Sequence, residues 1–312
     1  MTLFFYLDYF LNVIRFHGTI YLLNFKEVNI VYLIVTILVL LLFGGYFFWQ
    51  NYIHKVTSYT FSIPKKYSSL KNKEIVFISD THFRKNLSYF FIDRVLSEIE
   101  QIDPDVILFG GDIVHETSYD QVIEHTKDFF SQLVKIAPTY VVYGNHDLES
   151  HRKKEITDTL KRVGVTLLDN KSDWITFDDP NIGFHLIGLN EEADSISMKQ
   201  DALSQINWSQ ESKKGLNILL AHYPHFIEKY RRSEAKIPDL ILSGDTHGGQ
   251  VILPIIGGLY VPRQGFNPYY DFGIFTDDTY SFSRLIISRG LGNSSFPLRI
   301  NNRPEIIKIR FN

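Results

Sequence analysis

Apolar residues run almost unbroken from Ile30 to Trp49, the 20-residue stretch IVYLIVTILVLLLFGGYFFW, and no Asp, Glu, Lys or Arg occurs between Glu27 and Lys55. A helix rising 1.5 Å per residue would cover roughly 30 Å over that length, the thickness of a bilayer's hydrocarbon core. The pattern predicts a transmembrane helix at about residues 30–49. A cleaved signal fits less well, because the run is too long for an h-region, starts too late and is followed by no small-residue cleavage site. Upstream, LFFYLDYFLNVIRFHGTIYLL carries Asp8, Asn12, Arg15 and Thr19 at spacings of four, three and four. On a helix these form one polar stripe, so residues 3–25 read as an amphipathic helix in the headgroup layer or as a second span.

From residue 74 the pattern changes to short apolar runs alternating with longer helical ones, the mark of a layered α/β domain. Five runs share one feature. EIVFISDTH ends in Asp80 and His82, DVILFGGD in Asp112, TYVVYGNHD in Asn145 and His146, LNILLAH in His222, and PDLILSGDTH in Asp245 and His247. In open α/β sheets the ligand crevice lies outside the C-terminal strand ends, so five separate segments can converge there. Asp80 and His82, two apart in an extended chain, are expected to project to one side. Glycines at 110, 111, 144 and 244 are expected to supply the positive φ of the sharp exits. Any one of these ends could be a simple turn. Five in one chain point to a bound ion.

Composition narrows the ion. The 312 residues contain no cysteine and 11 histidines, so a metal must be held by oxygen and imidazole. Such a set suits Mn, Fe or Zn and is too rich in imidazole for a Ca or Mg cage. The formal net charge of -3 gives no basic field, so nucleic acid is not an expected partner. Arg15 and Lys26 precede the apolar run, whereas Lys55, Lys65, Lys66, Lys71 and Lys73 follow it. By the positive-inside rule the part after residue 55 is cytoplasmic. The organisation expected is a membrane anchor at 1–54, single-pass or two-pass, followed by a catalytic domain at 55–312.

The ordered set SDTH, GGDIV, GNHD, AHYPH and SGDTHGGQ resembles the calcineurin-like metallophosphoesterase superfamily. The tail segments GGLYVPRQG and SRGLGNSSFPLRINNRPEI are similar to its membrane-associated bacterial branch, which includes UDP-2,3-diacylglucosamine hydrolase-like proteins. The resemblance implies a four-layer α/β/β/α sandwich with two divalent metal ions, Mn first and Fe or Zn next, at the strand ends. Asp80, His82 and His247 would hold one ion; Asn145, His222 and Asp245 the other; Asp112 would bridge them. The pair would lower the pKa of a shared water and clamp phosphoryl oxygens, and His146 would stabilise charge or protonate the leaving oxygen.

Two positions depart from that pattern. Histidine is usual where this chain has Asp245, and an acidic residue is common at His115, with Glu116 adjacent. In the tail, Arg263, Arg289, Arg299 and Arg303 are candidates for phosphate recognition, Arg263 and Arg289 foremost. The function expected is hydrolysis of a phosphodiester or pyrophosphate on a lipid-linked, UDP-2,3-diacylglucosamine-like substrate at the membrane. The alternatives are a phosphodiesterase for soluble nucleotides and a catalytically silent scaffold. The sequence is silent on oligomeric state.

Overall fold

The computed structural model describes residues 25–84, 88–115, 121–177, 179–190, 203, 206, 215–231, 237–276, 279, 282–293 and 296–312. The polar stripe at residues 3–25 and Glu116 therefore lie outside the described residues, apart from Phe25 at the start of the first helix. The chain divides into two units, Met1–Tyr46 and Phe47–Asn312. The first holds most of helix α1, Phe25–Tyr52, whose segment Asn29–Tyr52 is long and apolar enough to cross a membrane and has none of its apolar window buried.

In the larger unit the strands are β1 Lys55–Phe61, β2 Glu74–Ile78, β3 Val106–Phe109, β4 Thr139–Val141, β5 Thr166–Leu167, β6 Lys171–Thr176, β7 Gly183–Leu189, β8 Asn217–Ala221 and β9 Leu240–Ser243. Two small hairpins follow, β10 Ile252–Leu253 with β11 Gly257–Gly258, and β12 Tyr260–Val261 with β13 Gly265–Phe266. The last strands are β14 Gly273–Phe275, β15 Arg284–Ile287 and β16 Glu305–Phe311. They build two six-stranded sheets, ordered β1-β16-β2-β3-β4-β5 and β14-β15-β9-β8-β7-β6. The strands that carry the five motifs pair in parallel, β2-β3-β4 in one sheet and β8-β9 in the other, so their C-terminal ends share an edge.

Alternation along each strand sorts side chains into layers. Ile75 and Phe77 of β2, with Val106 and Leu108 of β3, meet Phe184, Leu186, Ile218, Leu220 and Leu242 of the second sheet in the central core. Val76, Ile78, Ile107 and Phe109 face the opposite way, onto helices α2 Tyr89–Ile102, α3 Gln121–Ile136 and α5 Lys153–Val163; between the last two lies the one-turn helix α4 Asn145–Glu149. Ile187, Leu219, Ile241 and Leu285 form a third cluster under the short helix α6 Ile227–Arg231. Three apolar layers between two sheets and their outer helices make the α/β/β/α sandwich that the motif order implied.

Candidate metal centre

The strands stop short of the polar groups. β2 ends at Ile78, β3 at Phe109 and β9 at Ser243, and the donors sit on the turns beyond. Five of them adopt left-handed backbone: Asp80 at φ 54°, His82 at 43°, Asp112 at 56°, Asp245 at 69° and His247 at 48°. This corrects the extended Asp80–His82 segment, because two left-handed residues coil the chain and aim both side chains inward. It also corrects the role given to the glycines, of which only Gly111 has positive φ. The others provide room. A Cβ on Gly144 would lie 2.2 Å from Asp112 Oδ1, and one on Gly244 would lie 2.5 Å from Asp80 Oδ2. Left-handed non-glycine residues cost of order 1–3 kcal/mol each and persist where the surroundings over-determine them.

Asp112 is the centre of the cluster. Its Oδ2 lies 3.4 Å from His82 Nε2, 3.3 Å from His222 Nε2 and 4.0 Å from His146 Nε2. His82 Nε2 and His247 Nε2 are 2.9 Å apart, and His247 Nε2 is 3.7 Å from Asp80 Oδ1. On the other side His222 Nε2 is 3.9 Å from Asp245 Oδ1. Asn145 opens helix α4 beside Asp112, and the next amide, of His146, donates to Asp112 Oδ1 at 3.0 Å. The six charged or imidazole donors other than His146 are all buried.

Neighbouring backbone fixes how the rings face. His222 Nδ1 meets the carbonyl of Gly110 at 2.7 Å and His247 Nδ1 that of Gly292 at 3.2 Å, so each carries its proton on Nδ1 when neutral and turns the Nε2 lone pair to the centre. Ser79 and the amide of Asp245 likewise hold the Asp80 carboxylate. Within the cluster, His222 Nε2 and Asp245 Oδ2 are buried without a hydrogen-bond partner, an arrangement that costs stability unless something binds there. Among the described residues, the triads Asp80–His82–His247, His82–Asp112–His146 and Asp80–Asp112–His222 each bring their ligand atoms within 4.8 Å of one another. Converging buried lone pairs that share one carboxylate fit a pair of divalent ions.

The electrostatics fit as well. Burial raises Asp80 to about 6 and Asp245 to about 7, while it lowers His82 to about 3 and His247 well below the usual imidazole range. Burial also opposes charge on Asp112 and His222, yet their mutual attraction wins: Asp112 is held below the ordinary carboxylate range and His222 well above the ordinary imidazole one. One imidazolium thus offsets the carboxylates, a place that metal charge would take.

Around this centre the other sequence candidates separate. Arg263 reaches Asp245 Oδ1 with Nη1 at 3.4 Å, its guanidinium 4.2 Å above the Tyr223 ring. Arg289 is half-buried with its guanidinium 3.9 Å above Phe272. His115 lies against the ring of His146, centroids 4.9 Å apart. Arg299 is fully buried and serves the backbone, donating to the carbonyls of Arg289, Gly290, Gly292 and Asn302. Arg303 does the same for Ile53 and His54. Two residues were not singled out from sequence. Asp147 accepts the amides of Ile113, Val114 and Gly144, and Asn302 donates to the carbonyl of His247 at 2.6 Å. The final aspartate of GNHD was the available signal for the first; a polar residue between arginines in a tail gave none for the second.

Fold and site together define a metal-dependent phosphoesterase. The family model for calcineurin-like phosphoesterases matches residues 73–249, more than half of the chain, and the chain belongs to that family. It is 32% identical over 238 residues to Phosphodiesterase YaeI of Escherichia coli, covering 75% of this chain and 80% of that protein. It is 23% identical over 312 residues to the UDP-2,3-diacylglucosamine pyrophosphatase LpxG of Chlamydia trachomatis, covering 84% and 92%. A transmembrane protein with a metallophosphoesterase domain from Danio rerio is 24% identical, with 82% of this chain and 56% of that protein covered. The family works with a dinuclear metal centre, and the Asp and His groups described above could hold one.

Proposed function

We propose that the protein is a membrane-anchored hydrolase of a lipid-linked phosphodiester or pyrophosphate, and that the convergence of Asp80, His82, Asp112, His222, Asp245 and His247 on one buried point carries its chemistry. Asp80, His82 and His247 would hold one divalent ion and Asn145, His222 and Asp245 a second, with Asp112 shared. When bound, such ions supply a nucleophilic water at neutral pH and charge for the phosphoryl oxygens. A donor set of carboxylates, amide and imidazole with no thiolate favours Mn, with Fe next.

The chain's own residues do the rest. His146, half-buried at the rim and anchored through its amide to Asp112, can hold a proton at Nε2 and deliver it to the leaving oxygen. Arg263 is in reach of the same space and suits a phosphate oxygen through its fork. A lipid-linked substrate is supported by the apolar helix at Asn29–Tyr52 and by the substrate in the name of LpxG. The lysine bias after residue 55 favours a cytoplasmic catalytic domain.

The deciding experiment assays the full chain, reconstituted in lipid nanodiscs with Mn, on a diacylated sugar nucleotide diphosphate and on a chromogenic soluble phosphodiester. Higher kcat/KM on the diacylated substrate is expected. Preference for soluble nucleotides, with no gain from acyl chains, would establish the soluble-nucleotide reading instead, and no turnover of any phosphoester with both ions bound would establish the scaffold.

A further inference from the structure

The larger unit exposes a set of apolar side chains that its three cores do not use, grouped where α1 ends. Phe48, Trp49 and Tyr52 of the last turns are exposed, and so are Tyr89 and Phe90 at the start of α2, the ring of Phe90 lying 6.1 Å from that of Phe48. Asn51 Oδ1 accepts the amide of Arg299 at 3.0 Å and the side chain of Asn293 at 3.1 Å, which ties the exposed Phe296 and Leu298 to the same helix end. One residue on, the carbonyl of Ile300 accepts the amide of Ile252 at 3.0 Å and fixes the base of the β10–β11 hairpin.

The tip of that hairpin is unusual. Ile255 is 107% exposed with φ 74°, and Ile256 beside it is 56% exposed. A turn position with positive φ normally carries Gly, Asn or Asp; a β-branched apolar residue there is a backbone outlier and, in water, has nothing to bury against. Basic groups border the set. The guanidinium of Arg303 stands 4.8 Å over the Trp49 ring and that of Arg94 5.6 Å over Phe90. Aromatic rings beside arginine at the end of an apolar helix are the composition of a headgroup layer.

We propose that this collar is a second membrane contact, made by the folded domain itself. Ile255, Ile256, Phe296 and Leu298 enter the acyl boundary of the phospholipid bilayer at the end of α1, with Arg94 and Arg303 at phosphate level. The inference rests on the reading of α1 as a span, and adds to it that the domain is seated on the lipid rather than tethered above it. Hydrogen bonds link the seat to the site: Gly292, next to Asn293 in the chain, accepts from Arg299 and from His247 Nδ1 and donates its amide to the carbonyl of Asp80. A substrate whose acyl chains stay in the bilayer would then meet the donors without leaving it.

The chain has no cysteine, so single-cysteine variants of the full protein take spin labels at one chosen site. Ile255→Cys and Phe296→Cys are labelled in phosphatidylglycerol–phosphatidylcholine nanodiscs, with Leu40→Cys in the apolar helix and Lys127→Cys on α3 as references. Collision with oxygen is compared with collision with a water-soluble nickel chelate. Labels at 40, 255 and 296 should favour oxygen several-fold over the label at 127. If 40 reads as lipid while 255 and 296 match 127, the seat is wrong and the span stands; if 40 reads as water, the span and the seat fall together. Labels at 255 and 296 shielded from both reagents, with Ile255→Cys cross-linking two chains, would assign the collar to a second copy and overturn the lipid contact.

Discussion

The carboxylate of Asp147 accepts the amide of Ile113 at 2.9 Å, joining helix α4 to the loop after β3 across 34 residues of sequence. It also takes the amides of Val114 and Gly144, so the turn that carries Asp112 and the turn that carries Asn145 and His146 are held to one another by one buried side chain. Asp147→Asn keeps the shape but puts an NH2 group against at least one amide donor. Leaving a buried donor unmet costs about 1–3 kcal/mol. The variant should melt several degrees lower and bind less metal, measured by differential scanning calorimetry and by metal content after desalting. Unchanged melting and two ions per chain would make Asp147 dispensable.

Asp112 and His146 should fail differently. Removing the shared carboxylate charge in Asp112→Asn is expected to lower metal content and abolish turnover together. His146 stands at the edge of the cluster, its amide on Asp112 Oδ1 and its Nε2 4.0 Å from Asp112 Oδ2. His146→Ala should therefore retain metal and lose kcat by roughly 10²–10⁴, the usual range for a lost general acid. An emptied site with normal kcat per bound metal would reverse that assignment.

Asp245 sets a carboxylate 3.9 Å from His222 Nε2, and Arg263 at 3.4 Å is the cation placed beside it. Asp245→His should keep two ions and move the preference toward Zn, because imidazole replaces a hard oxygen. In the native chain Arg263→Ala should alter metal affinity, while in the Asp245→His background it should do so far less. Additive effects in that double-mutant cycle would mean that the two side chains are not coupled.

Acidity gives a test of the whole donor set. With ions removed, Asp80 at about 6, Asp245 at about 7 and the raised His222 all bind protons more tightly in the folded state than in the unfolded one. Their contribution to stability is present at low pH and is lost as pH rises through those values. His82, lowered to about 3, acts oppositely: its contribution is full above about 6.5 and is lost as pH falls. Asp80 has lost its contribution by about pH 6; above that the raised His222 governs, joined up to about 7 by Asp245 and by the neighbouring Asp147, so the metal-free protein should go on losing stability as pH rises from 6. Bound ions replace those protons, and free metal about 1,000-fold above Kd adds about 4 kcal/mol, or on the order of 7 °C for a folded unit of this size. The gap in Tm between loaded and chelated protein should widen from pH 6 to 8. A gap that does not change with pH would remove the buried carboxylates from the ligand set.

Each donor segment was legible because an apolar run that ends in Asp or His needs a reason, and the five runs were found on the strands that carry them. The way the donors face each other was not legible: left-handed φ at Asp80, His82, Asp112, Asp245 and His247 is imposed by tertiary packing against local preference. Arg299 is one of four tail arginines whose chemistry suits phosphate, and nothing in the sequence sets it apart from the other three. Burial makes it a partner for backbone carbonyls instead, and burial depends on contacts far off in sequence.

The end of the apolar helix shows the same limit and yields the last prediction. In the sequence the apolar run ends at Trp49 and the expected anchor at residue 54, which would place a truncation at residue 54 or 55. In the folded unit, however, Gln50 Oε1 accepts the amide of Asn302 at 2.9 Å, and Asn51 accepts from Arg299 and Asn293. Asn302 in turn bonds the carbonyl of His247, so cutting after residue 54 leaves buried donors unmet one residue from a proposed metal ligand. At about 1–3 kcal/mol each, those losses are a large part of an ordinary folding free energy. A protein spanning 47–312 should therefore fold, bind two ions and hydrolyse a soluble phosphodiester at nearly the full-length rate, while turning over lipid substrate in vesicles far more slowly. One spanning 55–312 should melt lower and lose metal. Equal behaviour of the two truncations would show that the last turn of the helix adds nothing to the folded unit, and an unchanged rate on vesicles for 47–312 would remove the apolar helix from substrate capture.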